Sequence, residues 1–377
     1  MLLRKAWQYQ NSEIDAGGVI GLYVLELGRD LKASDPRDKV YGFLGLTRVG
    51  IIPDYKKDVR EVYIETALHL LRLTGITQTL NLAGMENEQK FELPSWVPNW
   101  TSRRKGLYLK QSFFDIKTVG DIMSDIDSSE EGVLKVIGLQ LSSVAELEPE
   151  LSQPLDDSGR VTTRTWHFCR HYLANHGSKP YHTGIPFLQA MMRLLLDDED
   201  PLNSDSKISI PTDAFFKLGT VFIGVLCANG ENTDLEFVER CHRNLPKLGL
   251  DPDVDFAKTF SKQFLGDSEV LGPWENATQA LYGNFAAYLT IFGVMGRAMR
   301  NRCLFCTEDG WIGIGPEDLM KGDLVCAVKN CKFPVLLRPE DDHFLLLGTA
   351  LIHGLMDGAI FAELESRSSS VQEFKIW

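Results

Sequence analysis

Near Arg302 the apolar pattern of the chain changes its period, and that change constrains the fold more than any other feature. Upstream, apolar residues recur mostly at helical spacing. Downstream, short apolar runs alternate with turns: LFCT, WIGIG, DLVCAVK, FPVLLR and FLLLGTALIHG. Gly310, Gly322–Asp323, Asp341–Asp342 and Gly354 punctuate these runs. Such spacing predicts an antiparallel meander or small barrel. The fold class expected is therefore α+β, a helix-rich body with a small C-terminal antiparallel β unit.

The upstream part divides further. Val19–Leu31 has helical apolar spacing. A second helix is expected from Pro36, with Asp35 as N-cap, proline in the first turn and Asp38 capping backward. A third spans about Val59–Thr74, with Asp58 and Glu61 as a capping box and Gly75 as its stop. Leu80–Trp100 reads as short strand and proline-rich connector, since Pro94 and Pro98 forbid a helix there. Val133–Val144 alternates as a strand. Further helices are expected at Thr163–Ala174, Ile185–Leu196, Asp213–Ala228, Asp234–Leu245, Phe256–Phe264 and Glu275–Arg300. Glu148–Gly159 and Asp197–Ser206 read as loops. Three regions follow: 1–100, 101–302 (mainly helical, with a strand near 133–144) and 303–377 (β-rich).

Charge and cysteine content narrow the function classes. The net charge of −13, from 39 basic and 52 acidic residues, argues against a nucleic-acid partner. It also disfavours anionic membrane surfaces. Asn276–Gly296 carries no charged residue, but its asparagines, glutamine and glycines fit a buried helix better than a membrane span. Seven cysteines in mostly apolar surroundings fit reduced thiols in the cytoplasm.

Several clusters invite chemistry. Cys303-x2-Cys306 and Cys326-x4-Cys331 resemble two halves of a zinc site, but the first pair lies within an apolar strand-like run and the second is not CxxC. His167, Cys169, His171 and His176 share a helix; no HExxH glutamate and no third ligand accompany them. Gly313, Gly315 and Pro316 are no phosphate loop, because no GK[ST] follows; turn geometry explains them. Asp35, Arg37 and Asp38 make either an ion-pair hub able to orient a ligand or, the blander reading, a cap with a paired arginine. Trp96 and Trp100 either stack on a partner or pin a loop to a core. There is no G-x-S-x-G elbow. No signature demands a cofactor.

The order and spacing of the short signatures carry a resemblance. ASDPRDKVYGFLGL (Ala33–Leu46), IPDY (Ile52–Tyr55) and LPSWVPNW (Leu93–Trp100) are followed by LFCTEDG, GIGP, GDLV, LLRP and HGLMDG within Leu304–Asp357. Together these resemble the fungal heterokaryon incompatibility (HET) domain family. The residues matching its pattern are Asp35, Arg37, Asp38, Tyr41, Asp54, Tyr55, Trp96, Pro98, Trp100, Gly313, Gly315, Pro316, Gly322, Asp323, Arg338, His353, Gly354, Met356, Asp357 and Gly358. The resemblance implies a part in fungal non-self recognition and programmed cell death, acting through an unidentified protein partner. It also implies that most of the N-terminal HET domain is missing here, and with it the TIR-like sheet. Ala359 stands where similar proteins often carry glutamate. Two alternatives stay open: a NAD-consuming or other hydrolytic enzyme with its site in the helical body, and a C-terminal binding module stabilised by zinc.

Overall fold

The computed structural model describes residues 17–47, 49–85, 91–102, 132–148, 157–176, 179–199, 201–202, 207–208, 213–227, 243–244, 285–356 and 370–377. The chain forms two compact units, each from separate stretches of sequence. One comprises Met1–Ser143, Gly322–Ala350 and Leu355–Trp377; the other comprises Val144–Lys321 and Leu351–Gly354.

Among the described residues, the first unit joins four helices to a barrel. Helix α1 is Gly17–Gly28, α2 Asp38–Tyr41, α3 Val59–Thr74 and α4 Ile76–Leu82. The expected capping box of α3 is present: the Asp58 carboxylate accepts from Glu61 N, and the Glu61 carboxylate accepts from Asp58 N. Gly75, at φ +83°, stops the helix, in a backbone region that only glycine enters cheaply.

Two expectations fail here. Helix α2 is a single turn rather than the longer helix read from Pro36. Asp35 does accept from Arg37 N, but Asp38 bonds to the Tyr55 hydroxyl rather than capping backward. The start of the Leu80–Trp100 connector is helical, since α4 runs to Leu82. Thr79 bonds back to Gly75 O within that helix, and Thr77 bonds to Asn330 O.

Among the described residues, the barrel has five strands: β1 (Leu134–Leu147), β4 (Leu324–Val328), β5 (Val335–Pro339), β6 (Phe344–Thr349) and β8 (Gln372–Ile376). Residues 134–143 of β1 pair antiparallel with both β8 and β4. The circuit closes through β4–β5, β5–β6 and the parallel β6–β8 pairing of Phe344 with Ile376. Closure removes the exposed strand edges that a flat meander would leave. The strand read at Val133–Val144 is thus a stave of the barrel. Its inward residues Leu134 and Val136 join Cys326, Val328, Val335, Leu337, Leu346, Phe374 and Ile376 in one core with the helices.

The second unit contains α5 (Asp157–His176), α6 (Phe187–Leu196), α7 (Asp213–Cys227) and α8 (Phe285–Ala298). Its sheet comprises the last residues of β1, β2 (Arg302–Thr307), β3 (Ile312–Pro316) and β7 (Leu351–Ile352), all antiparallel. Helix α5 begins inside the stretch read as a loop to Gly159. The helices read at Phe256–Phe264 and at most of Asp234–Leu245 lie outside the described residues. So do residues 276–284. Among the described residues no helix is long and apolar enough to cross a membrane.

The glycine cluster also departs from its reading. Gly313 and Gly315 lie within β3, not in a turn. A β-carbon on Gly313 would sit 2.4 Å from Phe305 Cζ, so the buried Phe305 ring of β2 requires a bare backbone opposite it.

Candidate functional site

The ASDPRDK and IPDY signatures converge on one node of the first unit. Asp35 grips the Arg37 guanidinium through Nε (3.0 Å) and NH2 (2.7 Å). Arg37 NH1 donates to the carbonyls of Tyr55 and Lys57, each at 2.8 Å. The Tyr41 hydroxyl bonds to both N and O of Asp54, and the Tyr55 hydroxyl donates to Asp38 at 2.7 Å. Tyr41 and Tyr55 meet edge to face at 5.2 Å, and Arg37 lies 5.2 Å from the Tyr55 ring centroid. Hydrogen bonds from Arg37 hold the Asp35 carboxyl below its ordinary pKa. The hub and the cap are therefore one device. It fixes an otherwise irregular loop while leaving Tyr55 56% and Ile52 83% exposed.

Lys39, the last residue of the DPRDK run, was not singled out by pattern. It is buried, and its ammonium donates to the carbonyls of Gly28, Arg29 and Leu31 at and beyond the C-terminal end of α1. A cation is favoured there because the last carbonyls of a helix lack amide partners. Burial lowers the Lys39 pKa. Lys39→Met keeps the apolar stem and removes the donors. It is expected to cost about 1–3 kcal/mol, read as a lowered urea midpoint.

The LPSWVPNW segment points inward. Trp96 and Trp100 are 1% and 0% exposed, and Pro98 is buried between them in sequence. Trp96 Nε1 donates to Gly132 O at 2.9 Å. Arg29, itself paired with Glu26 and bonded to Leu82 O, lies 5.3 Å from the Trp100 ring centroid. Ser95 accepts from Leu346 N of β6 and donates to Trp377 O. In this structure both indoles are core residues that pin the connector, with no face open to a ligand.

In the barrel, the GDLV and LLRP signatures meet as a pair. Asp323 and Arg338 form two hydrogen bonds of 2.8 Å, with the Asp323 side chain 3% exposed. Gly322, at φ +94°, makes the turn that places Asp323 just before β4.

The LFCTEDG and GIGP signatures and the start of HGLMDG, His353 and Gly354, lie in the second unit. Tyr181 is buried; its hydroxyl accepts from Ile312 N and donates to His353 O, both at 3.0 Å. His182 stacks on Trp311 at 4.3 Å. A β-carbon on Gly354, at φ +91°, would lie 2.7 Å from Thr183 Cγ2 and 2.9 Å from Trp311, which accounts for the glycine in HGLMDG. Met356 is half-buried. Asp357, Gly358 and Ala359 lie outside the described residues. Tyr181 and Trp311 went unremarked in the sequence because their role depends on contacts more than 100 residues apart.

The thiols are distributed between the units. Cys303 donates to Pro316 O at 3.1 Å, and Cys306 lies 4.0 Å from His176 Nε2. Cys326 and Cys331 are fully buried in the barrel core. Burial pushes Cys306 up to about 12 and Cys331 to about 11, and raises Cys169 and Cys326 further. Such thiols stay protonated near neutrality, unlike nucleophilic thiolates. Among the described residues no three His, Cys, Asp or Glu side chains are placed to hold a metal ion. On α5, burial lowers the His167 pKa, and His171 pairs with Glu146 at 3.1 Å.

The strands after Arg302 also match a described family. Residues 279–370 match the Het-6 beta-barrel domain. Together with the signatures in the first hundred residues, this match supports the resemblance to the heterokaryon incompatibility family. Among curated proteins it is similar to Heterokaryon incompatibility protein 6, OR allele, of Neurospora crassa, with 22% identity over 369 residues. That similarity covers 87% of this chain and 49% of the relative, so the chain spans about half the length of the curated protein it matches. No solved structure matches the chain.

Proposed function

We propose that the protein acts in fungal heterokaryon incompatibility, in non-self recognition leading to programmed cell death, through contact with a protein partner. The similarity to a heterokaryon incompatibility protein across 87% of the chain carries this reading. The Asp35–Arg37–Tyr55 node supports contact as the mode of action. A loop already tied in place loses little conformational freedom on binding, and exposed tyrosine and isoleucine are suited to an interface. The buried, protonated thiols offer no comparable support for a catalytic centre. Within this reading the region up to residue 100 supplies the contact surface and the C-terminal β-rich region its scaffold.

Induced expression in a filamentous fungus tests the proposal, with Arg37→Ala/Asp38→Ala expressed alongside at matched protein level. The expected result is growth arrest and death with the intact chain and normal growth with the variant. Normal growth with abundant intact protein counts against the chain acting as an effector. Equal killing by both proteins would remove the node from the mechanism.

A further inference from the structure

The turn after β7 places a histidine where its charge state bears on the edge of a sheet. His353 is half-buried, and its backbone carbonyl accepts from the Tyr181 hydroxyl. The same hydroxyl accepts from Ile312 N at the start of β3. Strand β7 pairs with only Gly313 and Ile314 of β3, so Tyr181 takes the place of a strand partner where β7 has none to give. Among the described residues, the Tyr181 ring lies 5.7 Å from the imidazole, and the charges that act on it are Arg193, which opposes its protonation, and Asp198, which favours it. Arg193 is engaged with Asp198 and with Ile208 O. The next residue after Tyr181, His182, is stacked instead on Trp311.

We infer that His353 is an acid-operated latch: neutral, it lets Tyr181 close the edge of β3, and protonated, it releases that edge. This inference stands apart from the incompatibility reading and does not depend on it. An imidazolium here would be partly desolvated and opposed by the charge of Arg193, whose carboxylate partner Asp198 is already in use. The turn relieves that cost by moving into water. Moving carries the His353 carbonyl away from Tyr181, and the Ile312 amide loses its acceptor. An unpaired strand edge then becomes available for strand addition by another chain.

The sign follows from burial. Burial, with Arg193 adding to it, lowers the His353 pKa from 6.5 to about 4. The closed state therefore has its full stability above pH 6.5 and loses it as pH falls toward 4. Opening between pH 7.5 and pH 5 should increase roughly thirtyfold if the released imidazole regains its ordinary pKa.

Hydrogen exchange on the full chain tests this, read as the protection factor of the Ile312 amide at the two pH values. Protection is expected to fall roughly thirtyfold in the wild type, equally in His182→Asn, and hardly at all in His353→Asn. Unchanged wild-type protection would overturn the latch, as would an equal fall in His353→Asn. Should His353→Asn not fold, the NMR titration of the His353 ring in the wild type decides. A midpoint well below 6 supports the latch, and an ordinary midpoint refutes it.

Discussion

Arg338→Met is expected to lower the stability of the protein by about 3–5 kcal/mol, the cost of stripping one partner from a buried ion pair. Asp323 is 3% exposed and would be left in the barrel wall without the two 2.8 Å bonds from the guanidinium. Removing both charges together, as Asp323→Leu/Arg338→Met, should recover much of that loss, because apolar replacement of a whole buried pair is often nearly neutral. Urea denaturation of the two single variants and the double variant completes the cycle. A single variant within about 0.5 kcal/mol of wild type would show that the pair does not hold β4 to β5, since losses that small are typical of ordinary surface substitutions.

Gly84→Ala should be as damaging, for a different reason. Gly84 lies between α4 and the LPSWVPNW segment at φ +144°, and a β-carbon there would come 2.3 Å from the carbonyl oxygen of Leu347 in β6. The obstacle is backbone rather than a side chain that can swing aside. The neighbouring bonds, Gly84 N to Ser95 O and Met85 N to Leu346 O, hold both chains at that distance. Strain and overpacking together suggest a loss of about 3–5 kcal/mol. An unchanged urea midpoint would mean that this approach is looser than the structure shows. Gly45, with open space around its α-carbon and no positive φ, is the control expected to tolerate alanine.

Local signals were legible in the sequence, and pairings across long separations were not. The capping box of Asp58 and Glu61 and the turn glycines Gly310, Gly322 and Gly354 announce themselves through residue type and spacing, and the structure places them as read. The length of α2 was misread because Asp38 has two possible partners. The Tyr55 hydroxyl, 17 residues away, takes the carboxylate that a capping pattern would assign to the helix. Gly313 and Gly315 were read as turn residues because a glycine opposite a large ring looks the same in sequence as a glycine in a turn. The candidate site was legible in the same partial way. Asp35, Arg37, Tyr41, Asp54 and Tyr55 carried the family pattern, and the structure brings them together. Lys39, Arg29 and Tyr181 bond to backbone carbonyls or amides, which leave no mark on the residue type of the partner. Asp323 and Arg338 both belong to signatures in the sequence, but nothing in their spacing identifies them as each other's counter-ion.

The strand order of the barrel also has a consequence in time. Strand β1 needs β4 on one side and β8 on the other, and its β8 partners, Gln372–Ile376, are more than 200 residues further along the chain. At roughly 5–20 residues per second, a ribosome completes β1 on the order of 10–50 s before β8 exists. Throughout that interval Leu134–Val136 lack their β8 partners, and their apolar residues are free to find the wrong ones. The last step in folding this unit therefore waits for synthesis of Gln372–Ile376, and a nascent chain stalled before Gln372 should be a client for chaperones rather than a nearly finished protein.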